Sequence, residues 1–407
     1  MIGDPTLTTT HGKGSDSVSL AFTDATPTVD EDDDFYGAMQ YVNMDLNGSR
    51  NGNSNKNVDM YMDMDVDAFV RAAKRSSLVR EIYSVISTGQ TYEDLAMGAI
   101  RSDDPILTEL RSNEDSDLSW CVRLREYGSG TSASGPSKRS SNNREQEAIA
   151  DMKPFLQKLH GKVNLKNADC ALYIFEGELN HVDKVLVRKV ASGASTQSIA
   201  PNTRHCVTRT PLCPLASFIM CNLGRVKDGE RVLDPYSGSC STLLACAMVA
   251  DCQTVGIEIA GNGIVNRDDI IVDFESRGLK APASLIQGDC TNPACRDVAR
   301  RAVDGQPFDV ILADPPYGLR EKASKNSEPP LVELVESIRQ DYADGKPLLR
   351  AGGKLVVFVP TSEHDNLNDN LPSISLLDSA KLRLLSMTEQ PLSDTLSRWL
   401  VVYEQEA

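Results

Sequence analysis

The chain has 407 residues, a formal net charge of -16 and a pI of about 4.8. That length accommodates two folded domains and a tail, and the acidity at first sight argues against a nucleic-acid partner. The distribution softens that exclusion: residues 1–67 hold 13 Asp/Glu and 3 Lys/Arg, whereas residues 68–210 hold 20 basic and 17 acidic residues and are net +3. Ten cysteines occur without a Cys-x-x-Cys pair, many in apolar runs such as Leu244-Ala245-Cys246-Ala247, which reads as buried thiols in a reducing compartment. No apolar stretch is long enough for a membrane span, and the N-terminus lacks the order of a signal peptide, so a soluble, cytoplasmic protein is expected.

In chain order, residues 1–67 are rich in Asp, Asn, Ser and Thr, include Asp30-Glu31-Asp32-Asp33-Asp34, and read as a disordered acidic tail. Order is expected to begin near Ala68. There Phe69-Val70, Ala73, Leu78-Val79, Ile82-Tyr83 and Ile86 recur at helical spacing. Trp120 to Arg125 alternates like a strand, Gly128 to Asn143 reads as a flexible loop, and Lys153 to His160 suits a short helix. Ala171 to Phe175 and Val185 to Val190 suit two more strands, so residues 68–200 make a small α+β module.

Over residues 201–407 the pattern becomes strand and helix in alternation. Expected strands are Arg231–Leu233, Thr254–Ile257, Ser284–Gln287, Phe308–Ala313, Lys354–Val359, Leu382–Leu385 and Trp399–Tyr403, with helices near 241–250, 262–277 and 293–303. The implied fold class is α/β, a doubly wound Rossmann-like seven-stranded sheet. Ligands of such sheets sit beyond the carboxyl ends of the strands.

The residues just past four of these strands therefore draw attention. Asp234-Pro235-Tyr236-Ser237-Gly238-Ser239-Cys240 follows the first strand. It forms a tight turn whose amides could approach a ligand, with Gly238 free to take a conformation closed to other residues. An ordinary strand-to-helix turn explains it about as well. Glu258 ends the second strand about 24 residues after Asp234, the spacing at which nucleotide-binding folds set an acid on ribose hydroxyls. Gly288-Asp289-Cys290 follows the third, where Asp289 could accept from an adenine amino group.

The fourth strand runs into Asp314-Pro315-Pro316-Tyr317-Gly318. Two prolines fix the backbone and offer carbonyls without competing N–H groups. An exocyclic base amine is a poor nucleophile, because its lone pair is delocalised into the ring. If the Asp314 carboxylate and the Pro315 carbonyl accept its two hydrogens, the nitrogen moves toward tetrahedral geometry, and Tyr317 can stack on the base.

These four elements in order resemble the class I S-adenosylmethionine-dependent methyltransferases, and Asp-Pro-Pro-Tyr is similar to the signature of amino-group methylation. The resemblance is closer to the catalytic subunit of eukaryotic tRNA guanosine N2-methyltransferases acting at position ten. Gly161 to Asn167, Arg204-His205, Asp234 to Gly238, Asp314 to Glu321, Gln390-Pro391-Leu392 and Ser397-Arg398-Trp399 carry it, over about residues 68–405. It implies S-adenosyl-L-methionine as cofactor and Asp234, Tyr236, Gly238, Glu258, Asp289 and Cys290 as its binding residues. It also implies an RNA-binding THUMP region over 68–200, tRNA as substrate and a small zinc-binding activator subunit as partner. Two departures stand out: Cys240 replaces the last glycine of the cofactor loop, and Glu258 stands where the family usually has Asp.

Arg123, Arg125, Lys153, Lys158, Lys162, Lys166, Lys184, Arg188 and Lys189 concentrate basic charge in the middle region. Lys162, Lys166, Arg188, Arg204 and Arg320 are the expected RNA contacts, through phosphates and RNA shape. Solvated charged faces are the plainer explanation of any one of them. Another nucleic acid as substrate, or an RNA-binding scaffold with weak catalysis, stays open at this point.

Overall fold

The computed structural model describes residues 18–23, 39–44, 66–126, 138–179, 182–259, 265–316, 328–362 and 366–407. They divide into two compact units, Met1–Lys74 with Leu78–Gly193, and Arg75–Ser77 with Ala194–Ala407. Among the described residues no helix is long and apolar enough to cross a membrane.

The first unit contains a seven-stranded sheet. Its strands are β1 (Val18–Thr23), β2 (Met39–Met44), β3 (Glu81–Gly89), β4 (Ser119–Glu126), β5 (Lys162–Val163), β6 (Cys170–Leu179) and β7 (Val182–Ser192), in the order β2-β1-β3-β7-β6-β4-β5. Helices α1 (Val66–Arg75), α2 (Tyr92–Arg101), α3 (Pro105–Ser112), α4 (Lys138–Asp151) and α5 (Lys153–Leu156) accompany it. The helix starts are written in the sequence: Thr91 and Asp94 form a reciprocal capping box on α2, and Asp104 caps α3 ahead of Pro105. Leu95, Ala99, Leu107, Leu110, Phe155, Leu172 and Ile174 bury together in one core cluster, and Tyr83, Phe175, Val185 and Val187 in another.

Three features differ from the sequence expectation. The apolar spacing through Ile86 is helical only as far as Arg75, because Glu81–Gly89 is a strand. Ile82, Tyr83 and Ser84 are all buried, so the strand lacks the alternation that would have marked it. Residues 138–143, read as loop, belong to α4. Within the stretch read as tail, β1 and β2 pair antiparallel, in segments where Val18–Phe22 and Met39–Val42 interrupt the acidic composition.

The second unit is a doubly wound α/β sheet in the order β10-β9-β8-β11-β12-β14-β13. Its strands are β8 (Arg231–Asp234), β9 (Gln253–Glu258), β10 (Ser284–Gln287), β11 (Phe308–Ala313), β12 (Leu349–Ser362), β13 (Leu382–Ser393) and β14 (Leu396–Gln405). The first five run parallel to their neighbours, and β14 is antiparallel to both β12 and β13. Helices α6 (Pro214–Leu223), α7 (Ser241–Val249) and α8 (Arg267–Glu275) supply one core cluster; α9 (Pro293–Arg301), α10 (Pro330–Ala343) and α11 (Ile374–Ala380) supply the other. Alternate strand residues choose sides: Val310 and Leu312 of β11, with Val356 and Phe358 of β12, join the first cluster. Ile311 and Ala313, with Leu355, Val357 and Val359, join the second. Burial on both faces explains why these strands read as unbroken apolar runs.

Candidate active site

Because β10, β9, β8 and β11 are parallel neighbours, their carboxyl ends lie along one edge of the sheet. Each is closed by an acid: Asp289, Glu258, Asp234 and Asp314. The sequence expectation of a site at four strand ends therefore maps onto one continuous edge.

Asp234 is 2 % exposed. It accepts from the Tyr236 amide at 2.9 Å and from the Thr242 hydroxyl, so it ties both ends of the turn that follows β8. Burial above all, then the nearby charges of Asp314 and Glu258, push its carboxyl up to about 7, against the hydrogen bonds that lower it. Asp234 thus lies within electrostatic reach of two of the other three acids, Asp314 and Glu258.

The turn itself is pinned to β9. Ser237 donates its N–H to the Ile257 carbonyl at 2.9 Å, and Gly238 donates its N–H to Glu258 Oε2 at 2.7 Å. A Cβ on Gly256 would lie 2.7 Å from Ser237 Oγ, so β9 can approach only as glycine. Gly238 has φ +46° and Cys240 φ +62°, both left-handed. Cys240 therefore takes the conformation that a glycine would supply, while its thiol joins the buried cluster with Leu243, Leu244 and Phe274. Burial, and next the Asp234 carboxylate, push that thiol upward, so it stays protonated.

The third and fourth strand ends complete the edge. Asp289 Oδ1 accepts from the Thr291 amide and hydroxyl, both at 2.8 Å, and Cys290 is buried with its thiol pushed up to about 11 by burial. The half-buried Tyr236 donates its hydroxyl to the Pro330 carbonyl at 3.1 Å, fastening the first loop to the start of α10. Its phenol is pushed upward by burial and then by Cys290. Asp314 is half-buried, Pro315 buried and Pro316 exposed. Tyr317 and Arg320 lie outside the described residues, as do Gly318, Leu319 and Glu321.

Arg204 calls for a correction. Expected at the RNA, its side chain is 1 % exposed and pairs with Asp273. It donates to the Ser239 carbonyl and, at 2.6 Å, to Ser241 Oγ. Asp273 also accepts from the His205 amide at 2.7 Å and the Cys206 amide at 3.2 Å. Arg204 holds the turn between β8 and α7, and no composition rule separates such an arginine from a surface one.

In the first unit the expected basic cluster is largely paired. Arg188 binds both carboxylate oxygens of Asp104 at 2.9 Å, Arg125 and Lys189 share Glu81, and Lys184 meets Glu176. Burial alone would raise the Glu81 carboxyl, and its cationic and hydroxyl partners outweigh that and hold it down to about 2. Lys162 and Lys166 are exposed. Between them Asn164 Oδ1 accepts from the Lys166 and Asn167 amides at 3.1 and 3.2 Å, which fixes the loop that carries them.

The second unit is thus a Rossmann-like, doubly wound α/β sheet with a final antiparallel strand and a row of strand-end acids. At the level of individual proteins, the chain is similar to the tRNA (guanine(10)-N(2))-methyltransferase TRMT11 of Xenopus laevis, 26% identical over 287 residues. It is 29% identical to the Gallus gallus protein over 288 residues and 26% to the Homo sapiens protein over 291. These alignments cover 60% of this chain and 57–60% of those proteins, so the chain spans less than two thirds of their length. No family model matches. Among solved structures, TrmN from Thermus thermophilus aligns over 95% of this chain and 99% of its own, with 17% identity and a TM-score of 0.44.

Proposed function

We propose that this chain transfers a methyl group from S-adenosyl-L-methionine to the N2 amino group of a guanosine in tRNA. The observation that carries the reading is the row of acids on four adjacent parallel strands, ending in Asp314-Pro315-Pro316 on β11. The likeness to the tRNA (guanine(10)-N(2))-methyltransferases TRMT11 supports tRNA guanine as the substrate.

The residues present suit that cofactor. Glu258 offers a carboxylate to vicinal ribose hydroxyls, Asp289 an acceptor for the adenine amino group, and the strand-end acids together suit a cation. When bound, S-adenosylmethionine supplies an electrophilic methyl on a positively charged sulfur. The protein's task is then positioning. Asp314 and the Pro315 carbonyl accept the two N–H hydrogens of the target amine and orient its lone pair, and Tyr317 stacks on a base drawn out of its helix.

Lys162 and Lys166 are the candidate phosphate contacts in the first unit, read as THUMP-like, with Arg320 beside the catalytic motif. Arg188 remains committed to Asp104. A small zinc-binding activator subunit and a cytoplasmic site of action complete the proposal, resting on the sequence resemblance and the cysteine usage.

The test is methyl transfer from labelled cofactor to tRNA, with and without that activator, followed by nucleoside mass spectrometry. The wild type should yield N2-methylguanosine and Asp314→Ala none, with folding intact. Full activity in the variant, or a different methylated nucleoside, would sink the reading.

A further inference from the structure

Arg296 is the largest fully buried side chain among the described residues, 1 % exposed, and it lies outside the row of acids. It sits on α9, whose start is set by Asn292 accepting from the Ala294 amide and by Pro293 in the first turn. Its guanidinium makes a two-pronged pair with Asp341 of α10, Nε to Oδ2 at 2.8 Å and Nη2 to Oδ1 at 3.0 Å. The remaining nitrogen, Nη1, donates to the carbonyls of Cys290 at 3.0 Å and Thr291 at 2.6 Å. Arg300 holds Asp341 from the other side at 2.7 Å.

An ion pair with no other purpose has no need of those two carbonyls, and a hydrophobic pair would pack as well. What the guanidinium adds is a fixed fork, satisfied on one side by Asp341, that sets the height of the Cys290-Thr291 backbone. Asp289 is in turn held by the Thr291 amide and hydroxyl. The chain of contacts runs from Asp341 through Arg296 and Thr291 to the acid at the end of β10.

We propose that Arg296 is a positioning residue for recognition of the cofactor's 6-amino group, acting through Thr291 on Asp289. The inference rests on the methyltransferase reading and on Asp289 as the acceptor for that amine. Lysine cannot substitute, because one ammonium cannot span both Asp341 oxygens and two carbonyls.

The experiment compares S-adenosylhomocysteine with S-inosylhomocysteine, which carries a 6-oxo group, by calorimetric titration of the full chain. Wild type should prefer the adenosyl ligand by about tenfold or more, as expected of a hydrogen bond to a charged acceptor. The double variant R296M/D341L replaces the buried pair with apolar groups and should stay folded while the preference falls toward unity. Arg296→Lys, which retains the charge, should lose most of the preference as well. A folded variant of either kind that keeps the wild-type ratio overturns the proposal. Failure of wild type to bind either ligand would instead overturn the cofactor reading beneath it.

Discussion

The Gly238 main-chain N–H points at Glu258 Oε2 from 2.7 Å, so the acid ending β9 is already engaged by the loop ending β8. The same carboxylate is the one proposed to meet the ribose hydroxyls of the cofactor. On that proposal, ligand and loop would be coupled through a single carboxylate.

Glu258→Gln keeps an acceptor for Gly238 and removes the charge. Affinity for S-adenosylhomocysteine should fall by about tenfold or more, while the melting temperature shifts by no more than about 2 °C. A titration alongside a thermal melt checks both, and unchanged affinity would remove Glu258 from the site.

The buried Asp234 makes cofactor affinity depend on pH. Its carboxyl is pushed up to about 7 in the free protein, and a bound cation favours the ionised form. Affinity for S-adenosylmethionine should therefore rise from pH 6 to about 7 and then level off. S-adenosylhomocysteine, which lacks the sulfonium charge, should show a shallower rise. Stability runs the other way: a raised carboxyl pKa contributes most below about pH 4 and loses that contribution as pH rises through about 7. Asp234→Asn should consequently gain stability relative to wild type at pH 8 and lose that advantage in acid.

Arg204→Met should cost about 1.5 to 3 kcal/mol, because it removes one charged partner of buried Asp273, which keeps Arg277 and the His205 and Cys206 amides. Denaturant unfolding measures this. An unchanged stability accompanied by a smaller salt dependence of tRNA binding would restore Arg204 to the RNA surface.

Lys162→Ala with Lys166→Ala should leave unfolding unaltered. The slope of log affinity for tRNA against log salt should become shallower by roughly 1.4 to 1.8, as expected for two lost phosphate contacts. Filter binding across a salt series tests it, and an unchanged slope would place the RNA elsewhere.

Cys240 offers a contrast of backbone and side chain. Cys240→Gly relieves a left-handed residue, worth about 1 kcal/mol, and loses a buried thiol of similar value, so stability should change little. Cys240→Ala keeps the strain and loses the thiol, and should be the less stable of the two.

Much of the second unit was legible because its central strands, such as β11, are buried on both faces and end in chemically distinctive residues. Phe308–Ala313 reads as an apolar run that stops at Asp314-Pro315-Pro316, and the strand has those bounds. The early start of β12 was not legible: the strand begins at Leu349, and Arg350, Ala351, Gly352 and Gly353 interrupt its apolar run before Lys354. The clamps were invisible for a different reason. Arg204 and Arg296 are polar by composition and buried by tertiary pairing, and their carboxylate partners lie 69 and 45 residues away. Spacing within one element carries no trace of that.

β11 is buried along its whole length, with its side chains shared between both faces of the sheet. Asp314 and Pro315 follow this strand directly, so the buried strand anchors their start for as long as the sheet persists. Heating should therefore leave the proposed methyl transfer intact until the second unit melts, and thermal inactivation and loss of fold should share one midpoint.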